Sequence, residues 1–281
     1  MKKIIDTFLF FNEFDILDIR LNELYEYVDY FIITESNKTF SGKDKSFYLT
    51  EYIKTNNTFD KFKDKIIINK VIYDKTNKIN DDPWFNEHYQ RNQLLVPFEN
   101  RGILKHMHDI IMVSDVDEIP DSSLVELLPN LYNFHDILCV EHKMYYYYLN
   151  TILSGAEHTK WKGTVIAPYG ISHECKSMTP QELRDYRESI LDPKIMEDSG
   201  WHFSYLSGKN PKIIKEKLES FAHQEFNSES IKSKIEENIL NLTDLFGRNL
   251  KITQESLEDL PKYVLENVKK FDHLIYNIEV E

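Results

Sequence analysis

The stretch 109-DIIMVSDVDEIP-120 constrains this chain more than any other. Four consecutive apolar residues, Ile110 to Val113, read as a buried strand, and the strand runs into Asp115 and Asp117 before stopping at Ile119-Pro120. Paired carboxylates at the end of a buried strand are costly without a cation, because the two anions repel and each resists leaving water. A positive partner is expected there.

The surrounding pattern says what kind of sheet holds that strand. Ile4 to Phe11, Tyr30 to Thr34 and Lys65 to Val71 read as β-rich runs, and Ile16, Ile19, Leu21, Leu24 and Val28 carry helical spacing. Pro83 to Leu104 reads as a further helix with Trp84, His88 and Arg91 one turn apart. Strand and helix alternate, the rhythm of an α/β sheet. In such open sheets ligands bind outside the carboxyl ends of the strands, where Asp115 and Asp117 fall. After Pro120 come a β-prone segment (Asp136 to Leu149), a short strand (164-TVIAPYGI-171), a helix opened by Thr179-Pro180, and the glycine-flanked strand 199-SGWHFSYLSG-208. From Pro211 to Val280 the pattern is mostly amphipathic helix. No repeat or linker marks a boundary, so the reading is one domain over 1–281: a nucleotide-binding half (1–120), an acceptor and metal half (121–208) and a helical extension (209–281).

Bulk properties narrow the function. With 34 Lys+Arg against 47 Asp+Glu, the formal charge of −13 disfavours a broad nucleic-acid surface while allowing a local basic pocket. Two cysteines, Cys139 and Cys175, make neither a disulfide framework nor a zinc site, and fit a reducing, cytoplasmic setting. The start MKKIIDTFLFFNEFD has a short apolar run interrupted by Asp6 and no small-residue cleavage site, so it reads as a first core strand. No stretch approaches the roughly 20 apolar residues that span a bilayer.

D-x-D spacings arise by chance in a chain with 21 aspartates, so position carries the weight here. Alternation puts Asp115 and Asp117 on one side of a strand end, where both reach one divalent ion, Mg²⁺ or Mn²⁺. Glu118 is expected to point away, toward solvent or a salt bridge. His202 lies in an apolar run and reads either as a satisfied core histidine or as a ligand; as a ligand it would favour Mn²⁺.

The ordered set IDTFLFFNEFDILDIRLNELYEYVDYFIITESNKTFSG, SDVDEIP, Trp161-Lys162-Gly163, SGWHFSYLSG and SFAHQEFN resembles glycosyltransferase family 17 over roughly residues 4 to 250. The resemblance implies a GT-A-like fold, a Rossmann-like mixed sheet flanked by helices, with a UDP-sugar donor such as UDP-GlcNAc, a glycan or glycoconjugate acceptor, a divalent metal and inversion at the anomeric carbon. It gives Asp115 to the ribose and the metal, Asp117 to the metal, and His202 to completing the site, with Ser114 among the donor-binding residues. Arg91 and Glu35 are candidates for nucleotide contact, against an Arg91–Glu87 surface pair and a loop-capping Glu35. Lys217 and His223 are candidates to cover the diphosphate, against a solvated helix face. An inverting transfer needs a general base, and Asp198 is favoured over Glu174, with Glu157 a further candidate. Trp161 and Trp201 are candidates to stack on sugars. Two other readings are a haloacid-dehalogenase-like phosphotransferase, which ends its first strand in D-x-D, and a noncatalytic carbohydrate- or calcium-binding module.

Overall fold

Every residue of the first strand, Ile4–Leu9 (β1), is buried. A strand wrapped this way needs neighbours on both edges and cover on both faces. The computed structural model describes residues 2–100, 106–131, 137–155, 159–171, 178–189 and 193–277. β2 (Tyr30–Ser36) pairs with β1 in parallel, β3 (Ile66–Val71) pairs with β2, and β4 (Ile110–Asp115) lies on the other edge of β1, also parallel. The order β3-β2-β1-β4 is Rossmann-like, with its direction of growth reversing between β1 and β4.

Helices cover this half. α1 (Phe14–Leu24) turns Ile16, Leu17, Ile19, Leu21 and Leu24 inward, and α2 (Tyr48–Thr55) buries Leu49. The helix expected from Pro83 to Leu104 is broken into α3 (Pro83–Asn92) and α4 (Val96–Asn100), with 101–105 outside the described residues. Pro97 explains the break: it has no N–H to donate, and its ring would strike the carbonyl four residues back in a continuous helix.

Beyond β4 the sheet becomes mixed. β5 (Glu118–Pro120) and α5 (Ser122–Leu131) lead to β6 (Leu138–Tyr146), β7 (Thr151–Ser154) and β8 (Lys160–Pro168). β8 runs antiparallel to both β4 and β6. Thr179 caps α6 (Pro180–Asp185) in a capping box with Glu182. β9 (Lys194–Met196) joins β6, and β10 (Gly200–Ser204) lies antiparallel to β5 and parallel to β6.

The tail is mainly helical as expected, with α7 (Pro211–Ser220), α8 (Glu229–Lys232), α9 (Ile235–Leu240) and α10 (Lys262–Glu266), and it also supplies β11 (Lys251–Gln254), which pairs with β7. It belongs to the same core. Leu260, Val264, Phe271 and Leu274 are buried with the side chains of α1, at about 1.5–3 kcal/mol gross each. No helix among the described residues is long and apolar enough to cross a membrane.

Candidate active site

At the reversal point, the carboxyl ends of β1 and β4 open on a cleft of about 540 Å³. The segment after β1 lines it with Phe10, Phe11 and Glu13, the turn after β4 with Asp115, Val116 and Asp117, and the second half with Trp161, His202, Tyr205 and Lys217.

The expected positive partners are present, and they are protein side chains. Asp117 is buried, and its Oδ2 takes the Lys217 ammonium at 2.8 Å. Burial pushes the Asp117 carboxyl up, but Lys217 and then His202 outweigh it and hold it well below the carboxylate range. Asp115 has each oxygen on an arginine, Oδ1 on Arg91 at 2.8 Å and Oδ2 on Arg184 at 2.9 Å. Burial raises this carboxyl too, and the two guanidiniums lower it further than burial lifts it. Glu118 points inward to a salt bridge rather than to solvent, gripping Arg184 through both oxygens at 2.5 Å and accepting from the Trp161 indole and the Asp115 amide. Again burial opposes and Arg184 prevails, so Glu118 stays ionised.

His202 stands opposite Glu118 in the β5–β10 ladder, and its ring packs at 5.2 Å from Trp161. Its Nε2 faces Asp117 Oδ2 at 3.7 Å, beyond hydrogen-bond length, and its Nδ1 is buried without a partner. The core histidine is instead His142, fully buried, with burial lowering its pKa to about 3 and so keeping it neutral. Two glycines of the quoted motifs make room for it. A Cβ at Gly163 would come within 2.5 Å of the His142 ring, and one at Gly200 within 2.4 Å of the Ile119 carbonyl and 2.7 Å of that ring.

Asp117 and His202 therefore present an oxygen and a nitrogen donor that are not bonded to each other. They would supply one oxygen and one nitrogen ligand to a divalent ion, with Lys217 already on Oδ2 of Asp117. Asp115 does not join them as a free ligand, since both its oxygens hold arginines; the lone pairs left are suited to hydroxyl groups. No group of three His, Cys, Asp or Glu side chains among the described residues has metal-holding geometry.

Several other expectations change. Ser114 is fully buried beneath the cleft, its hydroxyl accepting from Arg20 at 2.6 Å, because alternation turns it away from the flanking aspartate. Glu35 caps α2, accepting from the Leu49 and Thr50 amides and the Thr50 hydroxyl, so it does not face the cleft. Arg91 keeps its pair with Glu87 but is buried rather than superficial, and it reaches Asp115 and Gln181 as well. Asp198 is close to His202 in sequence, yet it sits in a left-handed turn (φ 47°), 53% exposed, against Lys160 at 3.3 Å. It lines a separate groove with Asp121 and Trp201, and not the cleft. Trp201 donates to the Asp259 carbonyl there, while Trp161 does line the cleft. Lys217 and His223 both line it, His223 against the Trp84 ring at 4.4 Å. Glu174, Glu157 and Cys175 lie outside the described residues; Cys139 is a buried free thiol.

Sequence reasoning missed Arg184, Arg187 and Lys45, all lining the cleft. Arg184 and Arg187 stand three apart where 179-TPQELRDYRES-189 leaves α6, and only the start of that helix drew notice. Arg187 lies over the Trp161 ring at 4.8 Å. Lys45 packs over Phe11 and Tyr48, and burial lowers its pKa to about 8 against the pull of Glu35 and Glu13.

The beta-1,4-mannosyl-glycoprotein 4-beta-N-acetylglucosaminyltransferases of Rattus norvegicus and Homo sapiens are each 31% identical to the chain over 123 residues, 42% of this chain and 22% of those proteins. The matched stretch is thus about a fifth of the length of these relatives. A crystal structure of 4-diphosphocytidyl-2C-methyl-D-erythritolsynthase from Anaerococcus prevotii DSM 20548 superposes over 85% of this chain and 96% of that one, with 9% identity and a TM-score of 0.38, too loose to bear on function. The sequence profile described as glycosyltransferase family 17 matches residues 1–277, and the chain belongs to that family.

Proposed function

We propose that the protein transfers a sugar, N-acetylglucosamine from UDP-GlcNAc, to a hydroxyl of a glycan or glycoconjugate, using Mn²⁺ or Mg²⁺ and inverting the anomeric carbon. The observation that carries this reading is the Asp117–His202 pair, two unlike donors aimed into one cleft at the reversal point of the sheet. Asp117 and His202 would hold the ion, which supplies charge neutralisation to the departing diphosphate. Lys217 sits beside Asp117, and it and Arg187 add positive charge to the lining of the cleft. Arg91 and Arg184 hold Asp115 in one orientation, as a group meant for ribose hydroxyls requires. With Asp198 outside the cleft, Glu174 is the acceptor base to test. A cytoplasmic setting belongs to the same proposal and rests on the sparse cysteines.

The phosphotransferase reading asks for a free nucleophilic aspartate, and both oxygens of Asp115 are engaged. The calcium-module reading asks for six to eight oxygen ligands around one ion, and of the carboxylates of Asp115, Asp117 and Glu118 only Asp117 keeps an oxygen outside an ion pair. The test is release of nucleotide from a panel of UDP- and GDP-sugars with and without Mn²⁺. Mn²⁺-dependent UDP release from UDP-GlcNAc is expected. Phosphate release from para-nitrophenyl phosphate with no sugar-nucleotide turnover would sink the reading.

A further inference from the structure

Asp6 and Arg20 are both fully buried, Asp6 in the middle of β1 and Arg20 on the inward side of α1. A buried ion pair is a poor way to stabilise a core, since an apolar pair of similar volume is often at least as stable. The remaining contacts of the guanidinium give it another purpose. Its Nε and Nη2 donate to the two oxygens of Asp6 at 2.8 and 2.6 Å, and Nη2 also donates to Ser114 Oγ at 2.6 Å. Its Nη1 donates to the carbonyls of Asp115 at 3.0 Å, Val116 at 3.3 Å and Glu118 at 2.9 Å. Every N–H of the group is thereby committed. Three carbonyls of the 115–118 turn converge on one rigid fork, and the Phe8 ring lies 4.4 Å from its centre. A planar fork fixes direction as well as charge, which a lysine ammonium does not.

We infer that Arg20 is a positioning residue: it lies outside the cleft lining, and it holds the backbone of the 115–118 turn so that Asp117 stands beside His202 at the cleft. Asp6 orients Arg20. The part of this that concerns donor binding rests on the functional reading above.

The test uses the full chain with Asp6→Leu/Arg20→Met, which removes both buried charges together, and Arg20→Lys beside it as a second variant. Three quantities are read: the urea midpoint, amide hydrogen exchange at Asp115 and Phe203, and UDP affinity in Mn²⁺ by calorimetry. Those two amides bond Glu118 Oε2 and the Asp117 carbonyl, each at 2.9 Å, and so report the turn itself. The double variant is expected to fold with a lowered urea midpoint, because the Asp115 and Val116 carbonyls and the Ser114 hydroxyl lose a donor, while exchange at both amides accelerates more than that loss of stability accounts for and UDP affinity falls about 10- to 100-fold, the range for groups one contact removed from a metal site. Arg20→Lys is expected to move both readouts in the same direction. Wild-type exchange and wild-type affinity in either folded variant would overturn the inference. Wild-type protein that binds no UDP in Mn²⁺ would instead count against the functional reading, and the exchange rates would still decide the role of Arg20.

Discussion

The parallel half of the sheet gathers the acids at the cleft, and the mixed half brings most of the cations that answer them. β4 and the turn after it bring Asp115, Asp117 and Glu118 within four residues of chain. Most of the compensating cations come from elsewhere: Arg184 lies 66 residues beyond Glu118, and Lys217 lies 100 residues beyond Asp117. A cluster of acids is local and visible as a motif, whereas its counter-ions are delivered by folding. The first half is therefore a presented feature, and the second half is what makes it tolerable in a buried site and usable.

Breaking the shared pair is expected to have the largest effect. Asp117→Asn keeps the size and removes the charge, and UDP release should fall by on the order of 10² to 10³, the range for losing a group that stabilises developing charge. Mutual repulsion of the acids would predict a more stable variant, but Lys217 and His202 face Asp117, so its urea midpoint should drop. A higher midpoint would show that the acids repel after all.

Next is the long-range cation itself. Arg184→Met leaves Glu118 buried without its main partner, and about 3–5 kcal/mol of stability should be lost by chemical denaturation. The pH dependence follows in sign. Folded-state values below the ordinary range mean that the stability from Asp115, Asp117 and Glu118 is complete above their unfolded values near 4, and is lost as pH falls below them. In Arg184→Met burial is no longer outweighed at Glu118, its folded-state value rises, and the stability lost as pH falls should be smaller than in wild type.

A smaller effect is expected on the parallel side, where Lys45 loses its proton as pH rises past about 8. The folded value lies below the unfolded one near 10.4, so the protonated form costs stability below pH 8 and that cost is relieved between 8 and 10.4. UDP affinity should weaken by about 3- to 10-fold from pH 7 to 9.5 as this charge in the cleft disappears, and Lys45→Met should flatten the dependence. A bound anion would raise the Lys45 value and move the limb upward.

The smallest effect is expected at Asp198. Asp198→Asn should leave turnover within about twofold, the scale of an ordinary surface change, and asparagine suits the positive φ at that position. A loss on the order of 10² would return Asp198 to the mechanism as a base.

Much of the frame was legible because its signals are local. The apolar runs of β1, β2, β3, β4 and β10 stand out against their flanks, and Thr179-Pro180 announces its own helix cap. The short strands β5, β7, β9 and β11 escaped notice. Each is three or four residues long, too short for a period to register, and depends on a partner already in place. That Asp115 and Asp117 stand at the mouth of the cleft was readable from motif and placement, whereas His202 was singled out only with the help of the family resemblance. Glu35 and Ser114 misled because nearness to a strand end does not say which way a side chain turns, and Asp198 misled because nearness in sequence to His202 ignores the turn between them.

What the sequence alone determined is a parallel α/β sheet carrying a pair of acids at its carboxyl edge, since hydrophobic period and residue order are properties of neighbouring positions. Only the tertiary structure decided which cations answer those acids, which histidine stays neutral in the core and which faces the cleft. Those outcomes depend on groups tens of residues apart meeting at 2.5–3.7 Å, and on burial acting against charge, neither of which is written in any short stretch of chain.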